Sequence, residues 1–441
     1  TFNIFPYQPV RTPLYVVQQP VIEVAQDVYI EGVEVTQGIQ HFDPTRGVDE
    51  PDNTVPLVIG KSTAIRIYLG YWFGLDSVDQ RDGVPVRLYY RFGLGDWHSK
   101  IVTGPARTTL DQSDAANSAN AFLTINSLND SVAFSYYAIV DPADTIDETN
   151  EDNNRFPAEG HHTLTFHKRR PLKIIGERLD YHPTGYTGTR HAGGWAVNGG
   201  GAQWYNQLLP VADGAIDYSV ASGYLNWTTS LSNSDGQHAL IRYLNGLWVL
   251  GNLLSILVTG EPSGIDHIYG WAPHEGYSGG HADMPMYPHA GGLGVVAIGG
   301  DEPGTSTDDP ERGAIVFGHE ISHDYDVQHT DTGGDDCGAN DPSSDFPYGT
   351  SSIQEFGFNP ITNKVYHPNT THDLMSYCPP DWKEGWISPF HWTKLFNALA
   401  PEGGAKPLPV SPDNLPPMKL VKTLADTSLV VSARIENPTS T

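Results

Sequence analysis

Cysteine is almost absent from this 441-residue chain, which has two, Cys337 and Cys378. Two are too few for a disulfide scaffold, though enough for one bridge. Basic residues are also scarce, 25 Lys plus Arg against 52 Asp plus Glu, giving a formal net charge of −27. Phosphate backbones are held by basic surfaces, so the balance excludes nucleic acid as the expected partner. It suits a well-solvated extracellular surface and admits bound calcium. No apolar run of transmembrane length is read in the sequence, so no membrane span is expected. The chain also lacks a basic-then-apolar leader, which fits a mature secreted product without excluding a cytosolic origin. No block of like charge forms an acidic tail, and no internal repeat is visible.

Glycine (46) and proline (34) are frequent, which favours a turn-rich, strand-rich chain over a helical bundle. The length implies two or three domains. Residues 1–26 read as an extended leader segment. From there alternation dominates: Ile65, Ile67 and Leu69; Val84, Val86, Leu88 and Tyr90; Val132, Phe134, Tyr136 and Ala138. Period two broken by Gly, Asp, Asn and Pro predicts an antiparallel β-sandwich over 27–170. The pattern changes at "KRRPLKII". Over 171–400 it predicts mixed helix and strand, with helices at "GGAQWYNQLLP", "GQHALIRYLNGLWVLGNLL", "DDPERGAIVFGHEISHDYDV" and "WISPFHWTKLFNALA". The third begins with Asp308 or Asp309 as N-cap and Pro310 in its first turn. Residues 401–441 read as a linker and a lone strand, "TSLVVSARI". The expected class is therefore multidomain α+β.

The chemistry concentrates in "GHEISHDYDVQHT", Gly318 to Thr330. His319 and His323 lie four apart, hence one turn apart on one helix face, where both imidazoles can reach a tetrahedral zinc ion. Glu320, rotated by about 100° from His319, can address a water held there without ligating the metal. That pattern suits metal-assisted hydrolysis with a carboxylate as proton carrier. His329 can be the third ligand only if the chain turns sharply after the helix. A straight helix would carry it about 9 Å further along the axis. Glycine is the usual residue for such a turn, but aspartate tolerates the left-handed region. Asp326 therefore permits the turn, and it can also support a ligand histidine through a hydrogen bond.

"HEISHDYDVQH" resembles the HExxHxxGxxH signature of the metzincin zinc metallopeptidases at every position except the glycine. "HDLMSYCPP" resembles their methionine-containing turn, and a helix follows it, as in that clan. The resemblance implies a metzincin-like α/β catalytic domain with one catalytic Zn2+ on His319, His323 and His329. Glu320 would be the general base and acid, Met375 the hydrophobic floor, and Tyr377 a ligand or an oxyanion-stabilising group. Cys337 and Cys378, if bridged, would tie the loop after the zinc helix to this turn. Closing about forty residues would contribute about 3–4 kcal/mol, and the bridge would imply an oxidising compartment. Earlier in the chain, "VDPADTIDETNEDNN" followed by "HTLTF" resembles the last hairpin of bacterial adhesion-type immunoglobulin-like modules. Its acidic turn reads as a solvated loop, with calcium as the alternative.

Weaker signals remain. His281, Asp283 and His289 faintly resemble a second metal site of matrix-degrading metzincins, with the wrong spacing; ordinary loop residues are the better reading. "DTGGDDCGANDPSSD" is rich in oxygen ligands and admits Ca2+. "GLGVVAIGG" (292–300) is expected as the strand at the lip of the cleft, and 379–386 as the wall of the pocket beyond the scissile bond.

The expectation is a secreted or cell-surface zinc endopeptidase acting on a protein or glycoprotein, with the sandwich associating with substrate, cell surface or matrix. Two alternatives stay open. One is a thermolysin-like peptidase with a downstream carboxylate such as Glu355 as third ligand. The other is a surface adhesin or structural subunit with a vestigial peptidase domain.

Overall fold

Alternating β-branched and aromatic residues bury one face of a strand, and the first third of the chain folds as that pattern requires. The computed structural model describes residues 25–43, 52–74, 78–286, 291–302, 312–332, 341, 343–377, 385–399, 418–425 and 428–435. The strands of the first unit are β1 (Gln26–Thr36), β2 (Leu57–Val58), β3 (Ser62–Phe73), β4 (Gln80–Phe92), β5 (His98–Arg107), β6 (Ala119–Thr124), β7 (Ser131–Val140), β8 (Arg155–Phe156) and β9 (His162–His167). β1, β3 and β6 pair antiparallel as one layer, and β5, β4, β7 and β9 as the other. The layers join where β3 runs briefly parallel to β5. Ile65, Ile67 and Leu69 from one layer meet Val86, Leu88, Phe134 and Tyr136 from the other in a single core. This is the expected β-sandwich.

One strand departs from half-burial. Every residue of β3 from Thr63 to Tyr71 is buried. Its outer face is covered rather than solvated. Arg66 pairs with Glu34 at 3.3 Å and lies 4.5 Å from the centre of the Phe358 ring, which belongs to the second unit. Tyr68 stacks on Phe42.

The second unit carries β10 (Leu172–Tyr181), β11 (Ile216–Val220), β12 (Leu225–Trp227), β13 (His267–Ala272), β14 (Gly280–Ala282) and β15 (Val296–Gly300). Its sheet runs β11-β10-β13-β15-β14. The strands are parallel except β14, which is antiparallel to β15. The helices are α1 (Gly201–Leu208), α2 (Ser234–Thr259), α3 (Arg312–His323) and α4 (Pro389–Ala398). α1 and α3 pack on one face of the sheet and α2 on the other. α1 stops because Leu209 precedes Pro210 and is extended, at ψ 137. α2 is capped by the Asn233 side chain and closed by Gly260 at φ 82. Ser388 and Pro389 start α4. Short pairs β16 (Gly357–Asn359) with β17 (Lys364–Tyr366), and β18 (His372–Asp373) with β19 (Gly385–Trp386), complete this unit.

Three expectations need correction. The segment 292–300 does not supply the lip strand, because β15 is interior, paired on both sides, and the sheet ends at β14. "TSLVVSARI" is not a lone strand. It is β21 (Ser428–Ile435), half of an antiparallel hairpin with β20 (Met418–Ala425). And α2 is long and apolar enough to cross a membrane by length and composition. Its hydrophobic run is interrupted by His238, Arg242 and Asn245, which hides it in the sequence. Leu240, Ile241, Leu244, Trp248 and Val249 pack one stretch of that helix into the core of the second unit, while Leu253, Ile256, Leu257 and Val258 near its end are exposed. The leader through 24, the residues 308–310 at the head of α3, and the linker 401–417 lie outside the described residues.

Candidate metal centre

The three histidines of the motif converge. His323 Nε2 lies 3.1 Å from His319 Nε2 and 3.0 Å from His329 Nε2. Among the described residues, this is the one group of three or more His, Cys, Asp or Glu side chains whose ligand atoms gather within 4.8 Å.

The turn that returns His329 is built at the end of α3. Asp326 sits at φ 58, in the left-handed region. Its N–H donates to the His323 carbonyl at 2.9 Å, and Val327 N–H reaches the Ser322 carbonyl at 3.4 Å. This pair of bonds around one left-handed residue is the Schellman termination usually made by glycine. The contact of Asp326 with His323 is through the backbone, and its side chain is engaged away from the imidazoles, unlike one role expected for it. Its carboxylate accepts from Met286 N at 2.8 Å, tying the loop beyond β14 to the helix end.

Each ligand ring is oriented from behind. His319 Nδ1 donates to the Leu374 carbonyl at 2.8 Å, and His323 Nδ1 to the Val327 carbonyl at 2.6 Å. His329 Nδ1 faces the Asp341 carboxylate at 3.5 Å. Carbonyls and carboxylates only accept, so the ring protons sit on Nδ1 and the three Nε2 atoms are left unprotonated. Burial, then the charge of His329, hold the His319 ring down to about 3. Burial likewise lowers His323 and His329. Three unprotonated nitrogens facing one another repel unless a cation lies between them. Tetrahedral zinc at about 2.0–2.1 Å from nitrogen sets ligand nitrogens about 3.3–3.4 Å apart, close to the spacing found. The donor set fits zinc.

Glu320 follows His319 on α3 and is buried. It lies against β14, where a Cβ at Gly280 would run into its carboxylate. Burial pushes this carboxyl up to about 8. The Tyr377 hydroxyl is 2.7 Å from His329 Nε2, and its ring is partly exposed at the mouth of the centre. Its phenol is raised above the usual range, by burial and then by the nearby Glu320. Met375 is buried among the residues that back α3, and its carbonyl accepts from Thr330 N at 3.1 Å.

Other expected residues fall elsewhere. Glu355 is 3.3 Å from His41 of the first unit and does not join the histidines. His281 meets His238, with ring nitrogens 3.1 Å apart. Asp283 is buried as an anchor for Gly292 N and Leu293 N. His289, Cys337, Cys378, much of the 331–345 loop and 378–384 lie outside the described residues.

Sequence reasoning missed Asp341, although it belongs to the acidic loop read as a source of calcium ligands. It also missed Gly280 and Asp373. Asp373 accepts from Met375 N, Ser388 N and His391 Nδ1, at 2.8, 2.8 and 2.7 Å. A buried Asp two residues before Met375 was the available signal.

No protein-family model matches the chain, and no curated protein does. Among solved structures, it is similar to the CARDB domain of the PF1109 protein from Pyrococcus furiosus. One is a crystal structure in complex with di-metal ions, at 14% identity and TM-score 0.19, covering 32% of this chain and 88% of that one. The other is a solution NMR structure, at 16% identity and TM-score 0.18, covering 32% and 94%. This weak likeness extends over about a third of the chain.

Proposed function

We propose that the protein is a zinc-dependent endopeptidase with a metzincin-like catalytic unit, secreted or displayed at a cell surface, acting on proteins or glycoproteins. The observation that carries the reading is the set of three unprotonated Nε2 atoms within 3.1 Å of the central one, beside a desolvated glutamate. Bound to His319, His323 and His329, a zinc ion supplies a Lewis acid that acidifies water and polarises an amide carbonyl.

The remaining work falls to this chain's own groups. Glu320 takes a proton from the attacking water and returns it to the departing amine nitrogen, so that amide and water become acid and amine. Its raised affinity for a proton suits both halves of that transfer. The Tyr377 hydroxyl donates a hydrogen bond to the oxyanion that develops on the carbonyl. The outer side of β14, the last strand of this sheet among the described residues and next to Glu320, would offer backbone groups for an extended substrate to add as a further strand. Gly280 keeps that edge clear of the carboxylate. Calcium in the 331–345 loop, and the Cys337–Cys378 bridge, belong to the same reading of an extracellular protein.

The test is zinc content by elemental analysis together with casein or gelatin cleavage, for wild type and Glu320→Ala. One zinc in both, with cleavage lowered about 10²–10⁴-fold in the variant, is the expected result. Zinc in both with equal cleavage would remove Glu320 from the chemistry. Zinc in both and cleavage in neither would favour an adhesin or structural role. Wild type without zinc would end the reading.

A further inference from the structure

We infer that the β-sandwich is a working part of the metal centre, and that Trp386 is the positioning residue through which it acts; the inference rests on the zinc reading above. The link is a short series of contacts. The Gly38 carbonyl, just beyond β1, accepts from the Trp386 indole N–H at 2.8 Å and from Phe358 N at 2.8 Å. Trp386 is buried and stacks on Tyr366, centroids 4.1 Å apart and planes within 12°. Through β19 it holds β18 in register, Gly385 beside His372 and Trp386 beside Asp373. Asp373 then fixes Met375 N and the head of α4 through Ser388 and His391. The residue between them, Leu374, supplies the carbonyl that orients His319. Four steps therefore connect a sandwich carbonyl to a ligand imidazole.

The contact is tight and enclosed, as positioning requires. A Cβ at Gly38 would stand 3.0 Å from the Trp392 ring. Trp392 N–H donates to the Pro56 carbonyl at 2.9 Å, and Ile39 pairs with Gly357. Ile39 and Val55 of the sandwich side belong to the same core as Phe317, Ile321 and Met375. A tethered substrate-binding accessory would keep its own closed surface. Here the sandwich instead completes the core behind the centre.

Groups that orient a ligand from behind typically change metal affinity about 10–100-fold when removed. Trp386→Phe keeps an aromatic ring against Tyr366 and deletes the indole N–H, together with part of the buried ring volume. The experiment compares full-length wild type, Trp386→Phe and Val86→Ala, the last a cavity in the sandwich core away from the contact. Zinc affinity is read by chelator competition, the ligand field by the visible spectrum of the cobalt-loaded protein, and folding by melting temperature.

The expected result is zinc affinity weakened about tenfold or more and a changed cobalt spectrum in Trp386→Phe. Val86→Ala should lose thermal stability with both metal readouts unchanged. Wild-type affinity and spectrum in a folded Trp386→Phe would overturn the inference and leave the zinc reading intact. Equal weakening in Val86→Ala would also overturn it, as mere destabilisation. Should Trp386→Phe not fold, Gly38→Ala presses on Trp392 from the sandwich side and carries the same expectations. A wild type that binds no zinc would sink the underlying reading as well.

Discussion

Two regions of this molecule are dense in metal-binding side chains, and they are built in opposite ways. At the histidine centre, three neutral rings give their outer protons to oxygen atoms behind them and turn bare nitrogens toward one point. In the acidic turn of 141–154, the carboxylates instead face hydrogen-bond donors of the chain. Asp141 accepts from Thr145 N and Ile146 N at 2.7 and 2.6 Å, Glu148 from Val28 N at 2.8 Å, and Glu151 from the Asn154 amide at 2.9 Å. Among the described residues, no three ligand atoms gather there as they do at the histidines. Ligand-rich composition is thus no measure of a metal site. What distinguishes the centre is that its three Nε2 atoms face one another, with the Tyr377 hydroxyl 2.7 Å from one of them.

That contrast can be broken most sharply at Asp341, the one carboxylate among the described residues paired with the back of a histidine of the site. Asp341→Asn should weaken zinc binding about 10–100-fold and leave the melting temperature of the metal-free protein nearly unchanged. Equal zinc affinity would mean that the His329 ring is oriented without it. The complementary change is Asp141→Ala in the acidic turn. It orphans the buried N–H of Ile146 and the partly buried one of Thr145 and should cost about 1–3 kcal/mol of stability in urea unfolding, with zinc affinity untouched. A drop in zinc affinity there would erase the distinction between the two regions.

The smallest effect concerns pH. Burial, with the charges of Glu151 and Asp27, pushes the Glu148 carboxyl up to about 7 from an ordinary 4.5, against the pull of the Val28 N–H. Between those values the folded protein keeps a proton that the unfolded chain has released. The contribution is complete below pH 4.5 and is lost as pH rises through 7. Glu148→Gln should therefore flatten part of the decline in the urea midpoint between pH 4.5 and 7. A decline as steep as in wild type would assign it to other carboxylates.

Much of the centre was legible because helical spacing is local. Four residues separate His319 from His323, and aspartate is one of the few residues that accept the conformation Asp326 adopts. The sandwich was legible from period two at Val86, Leu88, Phe134 and Tyr136. What could not be read depends on chain segments far apart in sequence. The carbonyls of Val327 and Leu374 that fix the rings carry no side-chain signature. The edge strand β14 is three residues long, too short to show a period, so the longer apolar run at 292–300 drew the assignment instead. The outer face of β3 reads as polar at Arg66 and is nevertheless buried, because Phe358 covers it. Nothing local announces a cover supplied from almost three hundred residues away.

Burial of β3 on both faces also bears on how the protein fails. A strand with one face in the sandwich core and the other against Phe358 of the second unit leaves no clean surface along which the units separate. The sandwich and the histidine centre are therefore expected to melt in one cooperative step. On the proposed function, heating should then extinguish hydrolysis and release the metal over the same few degrees in which the strands are lost. On that proposal a half-melted population that still cut its neighbours would not build up, and the fold itself would limit self-digestion.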